Sequence, residues 1–295
     1  MFRVLARFAG PAAVILALAP RAWAGDPDVG VARMTAFGGS CQGCALSGRK
    51  LTGATFTGGN FSRAALVGAD LRGASFTGTT FTGADFSRAD LRSASLLGVN
   101  FAGAIFADAR MDGLEGAGAM FMGADLKRAQ LSSVELVGAN FTHANLVEAH
   151  LGGAELVASN FSEADGRKAD FHGADLTGSR MIGGRFQEAS FRGATLTNAD
   201  LSHGQFSGAD FKSADLENAK LYGADLSGAK GLTQDQVESA CADASTRLPS
   251  GLWASKGCHG GFGLHVRLPI IPGIPTPPAP PAPPAPAPVH YRGGN

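Results

Sequence analysis

Large apolar residues recur at every fifth position through most of this chain. From Leu46 to Leu226 the spacing never slips, and 35 of these 37 positions, called centres below, are Leu, Phe or Met; Gly116 and Gly166 are the exceptions. A period of five fits neither a helix, which repeats about every 3.6 residues, nor a flat strand, which alternates about every two. The pattern therefore predicts a chain that turns a corner once in every five residues.

A second period, of twenty residues, runs through the same positions. Centres twenty residues apart carry similar side chains, most clearly in a run of six phenylalanines: Phe61, Phe81, Phe101, Phe121, Phe141 and Phe161. If four groups of five close one square coil, these centres stack, and each wall of the coil acquires a column of its own. The sequence thus predicts a stacked solenoid of about nine coils.

The residues around each centre support this interpretation. The residue two before the centre is usually Ala, because a second inward position beside a large side chain has room only for a small one. The residue just before the centre is often Asp or Asn, and the two after it are commonly Ser, Thr, Arg or Gly, as expected at an outward corner. All 15 prolines lie at or before Pro27 or at or after Pro249, so none interrupts the backbone ladder between coils.

The repeated pattern A-[D/N]-[L/F]-x-x, as in residues 69–73, resembles the pentapeptide-repeat family over about Ala45 to Lys230. The resemblance implies an all-β fold, namely a right-handed quadrilateral β-helix. Handedness and square cross-section come from this resemblance, since the spacing by itself indicates only a stacked solenoid.

The first 24 residues have the features of a secretory signal peptide. Arg3 and Arg7 precede a short apolar run, and a small-residue cleavage site ends at Ala24. The alternative is a membrane anchor, which needs about 20 apolar residues, whereas this run is shorter and is broken by proline. We therefore expect cleavage after Ala24, a periplasmic or secreted mature protein, and no stable membrane anchor after cleavage.

The rest of the chain divides into four segments. Residues 25–40 are expected to form a flexible lead-in, 41–230 the β-helix, 231–259 a C-terminal helical cap, and 260–295 a disordered Pro/Ala-rich tail. Thr233 and Gln236 form a capping-box pattern that predicts a short helix through Val237 to about Ala242, covering the edge of the last coil. The tail is either a spacer or ligand for a wall or membrane partner, or simply a solvated extension.

Four cysteines are candidates for structural disulfides. Cys41 and Cys44 lie at the first corner of the solenoid, where a disulfide is the favoured interpretation and a free or redox-active pair the alternative. Cys241 and Cys258 lie 17 residues apart and are natural partners once the first pair is satisfied locally. The resemblance agrees, since similar pairs open many pentapeptide-repeat proteins.

Few residues suggest chemistry. His150, Asp170 and His172 form the one arrangement that could support catalysis, and a solvated surface cluster is the alternative. No nucleophile elbow or phosphate-binding loop occurs, and we predict no catalytic residue, cofactor or metal. Leu114 is expected to fill the space beside Gly116. A bulge or bend is expected near Gly166, with a ligand pocket as the alternative, although Phe186 on the next coil could also lean into that space.

Charge and export narrow the possible functions. The formal net charge is zero, so the basic surface typical of nucleic-acid binding is not expected. We predict a secreted, non-catalytic scaffold or protein–protein interaction surface, whose partner binds the outer faces or the Pro-rich tail; the sequence specifies no oligomeric state. One alternative is topoisomerase protection, but family members with that activity are acidic DNA-like rods in the cytoplasm, unlike this near-neutral chain with an export leader. A further alternative function is an enzyme whose site is built on the outer face of the solenoid.

Overall fold

The computed structural model of the chain describes residues 36–254. Its regular elements are the strands β1 (Ala36–Ser40), β2 (Thr55–Asn60), β3 (Ser75–Thr77) and β4 (Ser95–Leu97) and the helix α1 (Gln234–Ser239). The strands form one parallel sheet in the order β1-β2-β3-β4. The residues paired between β2 and β3, and between β3 and β4, are twenty apart, so each strand belongs to a different coil.

Outside these strands, the coils are joined by single parallel bridges. Up to Lys230, the bridges occur at residues just before the centres and join each to the residue twenty further on, as in Ala45–Ala65 and Lys50–Asp70. The bridges define four walls, called A, B, C and D after their first members, which are Ala45, Lys50, Thr55 and Asn60. The predicted twenty-residue coil is confirmed, and the fold is a right-handed quadrilateral β-helix.

The corners are tight turns that begin at the centres. At a typical corner the N–H of Ala64 donates to the carbonyl of Phe61 at 3.0 Å. The residue two after the centre has a positive φ, which is +63° at Gly73 and +58° at Arg63. This is the conformation that the third residue of a type II turn requires, which explains why glycine is so common there.

The interior is a continuous column of side chains on each wall. On the column that begins at Phe61, the ring centroids of successive phenylalanines are 4.7 to 5.6 Å apart and the rings lie within 25° of parallel. All six rings are buried: Phe61, Phe81, Phe101, Phe121, Phe141 and Phe161. The column leaves no open channel along this wall.

Gly166 does not distort the coil. Asp165 bridges to both Asn145 and Arg185, and the N–H of Gly166 donates to the carbonyl of Arg185 at 2.7 Å. The expected bulge or bend is therefore wrong. The ring of Phe186 lies where a side chain at Gly166 would be, since a Cβ there would lie 2.4 Å from its Cε1 atom.

The corner after wall C has one hydrogen-bond pattern in the early coils and another in the later coils, and Gly116 lies between the two. Among the described residues, the corners that start at Phe76 and Leu96 have no closing N–H to carbonyl bond, whereas Ala139 closes the corner at Leu136 at 3.2 Å. A Cβ on Gly116 would lie 2.5 Å from the carbonyl oxygen of Leu96, so only glycine fits at the change. Leu114 is fully buried beside it.

The C-terminal cap begins with the capping box. The Thr233 side chain accepts a bond from the backbone N–H of Gln236, whose side chain accepts in turn from the backbone N–H of Thr233. The Gln236 side-chain amide also donates to the carbonyls of Phe211 and Ala214 at 2.9 and 2.8 Å. The cap thus satisfies backbone groups that the last coil would otherwise leave unpaired.

Helix α1 ends at Ser239, three residues before the predicted end at Ala242. The reason is that Cys241 returns to the ladder, bridging to Lys220 and donating its N–H to the carbonyl of Ala219 at 2.8 Å. Arg247 bridges in the same way to Asp225. The residues after the helix therefore continue two walls of the solenoid.

Candidate interaction surfaces

Polar chemistry lies almost entirely on the outer surface. Within residues 36–254 the buried polar side chains are all hydroxyls, those of Thr79, Ser159, Ser179 and Ser202. Each replaces the small residue two before a centre or follows a centre directly. The ionisable side chains of residues 36–254 therefore lie on the walls and corners.

The three residues singled out for chemistry do lie together on wall B. His150 and Asp170 are bridge partners on adjacent coils, and Nδ1 of His172 lies 2.9 Å from Oδ2 of Asp170. The side chains of His172 and Asp170 are 62% and 35% exposed. The His172 ring packs over Gly152, where a Cβ would lie within 2.1 Å of it. The cluster is thus open to solvent and lies against a flat wall.

The first cysteine pair closes the start of the solenoid. Cys41 and Cys44 are joined by a disulfide with Cα atoms 5.5 Å apart, and the N–H of Cys41 donates to the carbonyl of Asn60 at 2.8 Å. Cys241 is also disulfide-bonded. Cys258 lies outside the described residues, so its pairing with Cys241 stays a prediction.

Wall B carries a network of ion pairs along its corner. Arg72 donates to both carboxylate oxygens of Asp70, at 2.8 and 2.7 Å, and Arg92 does the same to Asp90 at 2.9 and 2.7 Å. The hydrogen bond from Arg72 lowers the pKa of Asp70 to about 2. The bond from Arg92 likewise lowers the pKa of Asp90. These carboxylates are therefore compensated within the protein.

Wall C carries carboxylates of a different kind, which the sequence interpretation missed. Glu115 is bridged to Glu135, Glu135 to Glu155, and Glu155 to Asp175, so four acidic residues follow one another on successive coils. The three glutamates are exposed, and no ion pair joins them to any described residue. The clue in the sequence was the spacing of twenty between acidic residues, which a residue-type count does not reveal.

Exposed apolar side chains border the same corner. Leu97 lies at the corner between walls C and D and is 48% exposed; Met120, on wall D, is 39% exposed, and Met122, at the next corner, is 49% exposed. In sequence, Met120 comes five residues after Glu115. The acidic column on wall C, together with Leu97, Met120 and Met122, therefore forms one surface that extends from wall C across wall D to the D–A corner, which we call the acidic–apolar surface.

Two further kinds of site are absent from the described part of the chain. Residues 36–254 contain no group of three or more His, Cys, Asp or Glu side chains that could hold a metal ion. Over the same range, no helix is long and apolar enough to span a membrane.

Comparison with known proteins agrees with this fold. A family profile described as pentapeptide repeats matches residues 40–78, 84–115, 117–146, 144–183, 181–212 and 189–228. No curated protein sequence matches the chain.

Three solved structures are similar to the chain. HetL of Nostoc sp. strain PCC 7120, a pentapeptide repeat protein involved in heterocyst differentiation regulation, is 25% identical, with 70% of this chain and 92% of HetL covered and a TM-score of 0.25. QnrB1, a plasmid-mediated fluoroquinolone resistance protein, is 21% identical, with 66% and 87% covered and a TM-score of 0.35. A pentapeptide repeat protein of the Arabidopsis thaliana thylakoid lumen is 26% identical, with 41% and 79% covered and a TM-score of 0.17.

Proposed function

Because the chain belongs to the pentapeptide-repeat family, we propose that it is a secreted, non-catalytic β-helix that acts as a scaffold or protein–protein interaction surface. The single observation that carries this proposal is the filled interior. Large side chains such as Phe121 and Phe141 stack ring on ring at 5.0 Å, and the ionisable groups described are on the outside. The coils that the structure describes offer a partner extended walls, and their interior is filled by side chains.

The exported location rests on the signal-peptide pattern of residues 1–24, which lie outside the described residues. We expect the mature chain to start at Gly25 and to be found in the periplasm or outside the cell. Cell fractionation followed by N-terminal sequencing tests this. A mature N-terminus near Gly25 in the periplasmic fraction eliminates topoisomerase protection as the normal role, whereas an uncleaved chain in the cytoplasm would contradict export.

The absence of catalysis is tested at the one cluster that could support it. His150→Ala and Asp170→Ala should leave the fold and partner binding unchanged, because both groups lie on an open wall and Asp170 loses only its exposed contacts with His172. The purified protein should also contain no stoichiometric metal. A measured activity that either substitution abolishes without unfolding the protein would overturn the proposal in favour of an enzyme.

The four cysteines provide an independent check of the compartment. If the mature protein reaches an oxidising environment, alkylation of the unfolded, unreduced chain should label none of Cys41, Cys44, Cys241 and Cys258. Peptide mapping should then show the pairs Cys41–Cys44 and Cys241–Cys258. Free thiols in protein taken from the periplasm would contradict the assignment of these residues as structural disulfides.

A further inference from the structure

We infer that the acidic–apolar surface is where the proposed partner docks, and that the partner presents lysine or arginine side chains next to apolar ones. This inference rests on the proposed function and names the partner class and the place. The surface comprises Glu115, Glu135 and Glu155 on wall C, together with Leu97 at the C–D corner, Met120 on wall D and Met122 at the D–A corner. Two observations carry the inference, namely the uncompensated charge and the exposed apolar area.

The charge is unusual within this protein. Residues 114–123, 134–143 and 154–163 make up walls C and D of three successive coils, and they contain no Lys or Arg. Of their four Glu, Glu163 lies 3.5 Å from Nδ1 of His143, whereas the three bridged glutamates of wall C have no such neighbour among the described residues. The acidic residues of wall B, by contrast, are paired with arginines, as at Asp70 and Asp90. Bridged glutamates lie about 4.8 Å apart along the backbone, well inside the screening length of physiological salt.

Such a column destabilises the fold, because like charges directly opposite each other on neighbouring strands repel. The repulsion would be relieved by a partner that brings positive charge to the column. The same argument excludes an anionic membrane surface and nucleic acid, both of which glutamates repel. A partner protein with basic side chains is the complementary occupant.

The apolar side chains indicate how such a partner is held. Leu97 and Met122 are each about half exposed, and wall D between them carries Asn100 and the exposed Met120, which are bridge partners. Apolar side chains desolvated at the centre of an interface contribute most of its affinity, whereas charges at its rim provide orientation and specificity. The glutamates of wall C lie beside the exposed apolar side chains, where the charged rim of an interface would be.

A second copy of this chain is not the complementary occupant. In a symmetric dimer each subunit would use the same surface, so the glutamate columns would face a surface that has no lysine or arginine to meet them. Arg180 and Lys220, the basic residues of wall D nearest to it, belong to later coils.

The first test is a titration of the full mature chain with synthetic peptides. The probe is a seven-residue peptide of alternating Lys and Leu, and the matched peptides alternate Glu with Leu and Lys with Ser. We expect binding of the Lys–Leu peptide, and binding about tenfold weaker or worse for both matched peptides. Equal binding of the Glu–Leu peptide would overturn the inference, because the glutamates would then have no role in recognition.

Variants locate the binding site. Glu135→Lys and Met122→Ser should each weaken binding of the Lys–Leu peptide about tenfold. Glu148→Lys is the matched control, since Glu148 is exposed and lies on the same coil at the opposite corner, between walls A and B. A loss in Glu148→Lys as large as that in Glu135→Lys would show that the peptide reads net charge only, which would overturn the inference.

Stability gives a second readout that a purely structural role would not produce. Because Glu135→Lys places a positive charge between Glu115 and Glu155, it should raise the urea midpoint of unfolding while it weakens peptide binding. A lower midpoint would refute the repulsion argument. Sedimentation equilibrium of the wild type and Met122→Ser completes the test, since self-association abolished by Met122→Ser would assign the surface to a second copy instead.

Failure of this inference can be distinguished from failure of the proposed function by photo-crosslinking in intact cells. A photoreactive amino acid is placed at position 122 or, as the control, at position 148. We expect crosslinks at 122, to a peptide with Lys or Arg beside apolar residues. Crosslinks at 148 alone would overturn the docking surface and leave the interaction function standing, whereas no crosslink at either position would count against both.

Discussion

Replacing Gly166 with alanine should force a methyl group against the ring of Phe186. A Cβ on Gly166 would lie 2.4 Å from Cε1 and 2.5 Å from Cδ1 of that ring, and a Cβ on Gly184 would lie 2.5 Å from Cε2. Carbon atoms in contact are normally about 3.5 Å apart or more. The ring therefore fills the space that both glycines leave, and it would have to move by roughly 1 Å to accept the methyl group.

The surroundings of Phe186 resist that movement. Its ring stacks on Phe206 with centroids 5.5 Å apart and an angle of 9°, and it makes edge contacts with Phe171 and Phe191, each at 6.0 Å. Overpacking a close-packed site of this kind costs about 1 to 3 kcal/mol. Without the clash, replacing glycine with alanine would stabilise the protein by about 0.4 to 1 kcal/mol, because alanine lowers the conformational entropy of the unfolded chain. A destabilising effect of Gly166→Ala would therefore indicate the clash.

A double-mutant cycle separates the clash from other effects. Phe186→Ala should cost about 3 to 5 kcal/mol, because it leaves a cavity in the core. In that background Gly166→Ala should become neutral or stabilising, which gives a coupling energy of about 1 to 3 kcal/mol. Urea unfolding of the four proteins, followed by circular dichroism and a second probe to test for two-state behaviour, measures it. The same cost for Gly166→Ala in both backgrounds would refute the argument.

Three further outcomes follow from the same structure. Phe121→Ala should lower the free energy of unfolding by about 3 to 5 kcal/mol, and a loss below about 1 kcal/mol in urea unfolding would be incompatible with a buried ring stack. Ser179→Ala should stabilise the protein by about 1 kcal/mol, because the buried Ser179 hydroxyl has no hydrogen-bond partner among the described residues. Ser159→Ala should instead cost about 1 kcal/mol, since that hydroxyl donates to the carbonyl of Leu136 at 2.9 Å; equal effects of the two substitutions would contradict this assignment. The folded-state pKa of Asp70 is lowered to about 2, below its unfolded value of about 3.9, so its contribution is present above pH 4 and lost as the pH falls through about 2. The difference in urea midpoint between wild type and Asp70→Asn should shrink over that interval, and a difference independent of pH would show that the ion pair is not its cause.

The main architecture could be predicted because the sequence repeats one physical requirement many times. Each centre from Leu46 to Leu226 must be buried, and only a corner every five residues achieves this, so the period specifies the coil. The twenty-residue columns followed from the likeness of stacked side chains, as at Phe141 and Phe161, whose rings are 4.7 Å apart. The start of α1 was predictable from local sequence, because the side chains of Thr233 and Gln236 each accept a hydrogen bond from the backbone N–H of the other residue.

The errors arose where the outcome depends on contacts between coils. Gly166 was expected to bend the chain because it lacks a large side chain, but Phe186, twenty residues later, fills the gap. The helix was predicted to reach Ala242 because helix propensity depends on local sequence only. It does not include the backbone hydrogen bonds by which Cys241 pairs with the preceding coil. The requirement at Gly116 was missed for a similar reason, because the change of corner geometry becomes apparent only when Leu96 and Leu136 are compared in space.

The acidic–apolar surface was missed because its members are distant in sequence and ordinary in composition. Glu115 and Glu135 each belong to a repeat in which an acidic residue before the centre is common. What distinguishes them is the absence of a cation on the neighbouring corners, which is a property of two walls and three coils taken together.

The bridges between residues twenty apart restrict how the length of this protein can change during evolution. Removing or duplicating twenty residues would shorten or lengthen the solenoid and return every later side chain to its original direction. Losing a single group of five would instead rotate everything downstream by a quarter turn, so that the buried columns would still match but each later residue would face a different side. Gene rearrangements that preserve stability could therefore redistribute the surface chemistry of the protein while leaving its core intact.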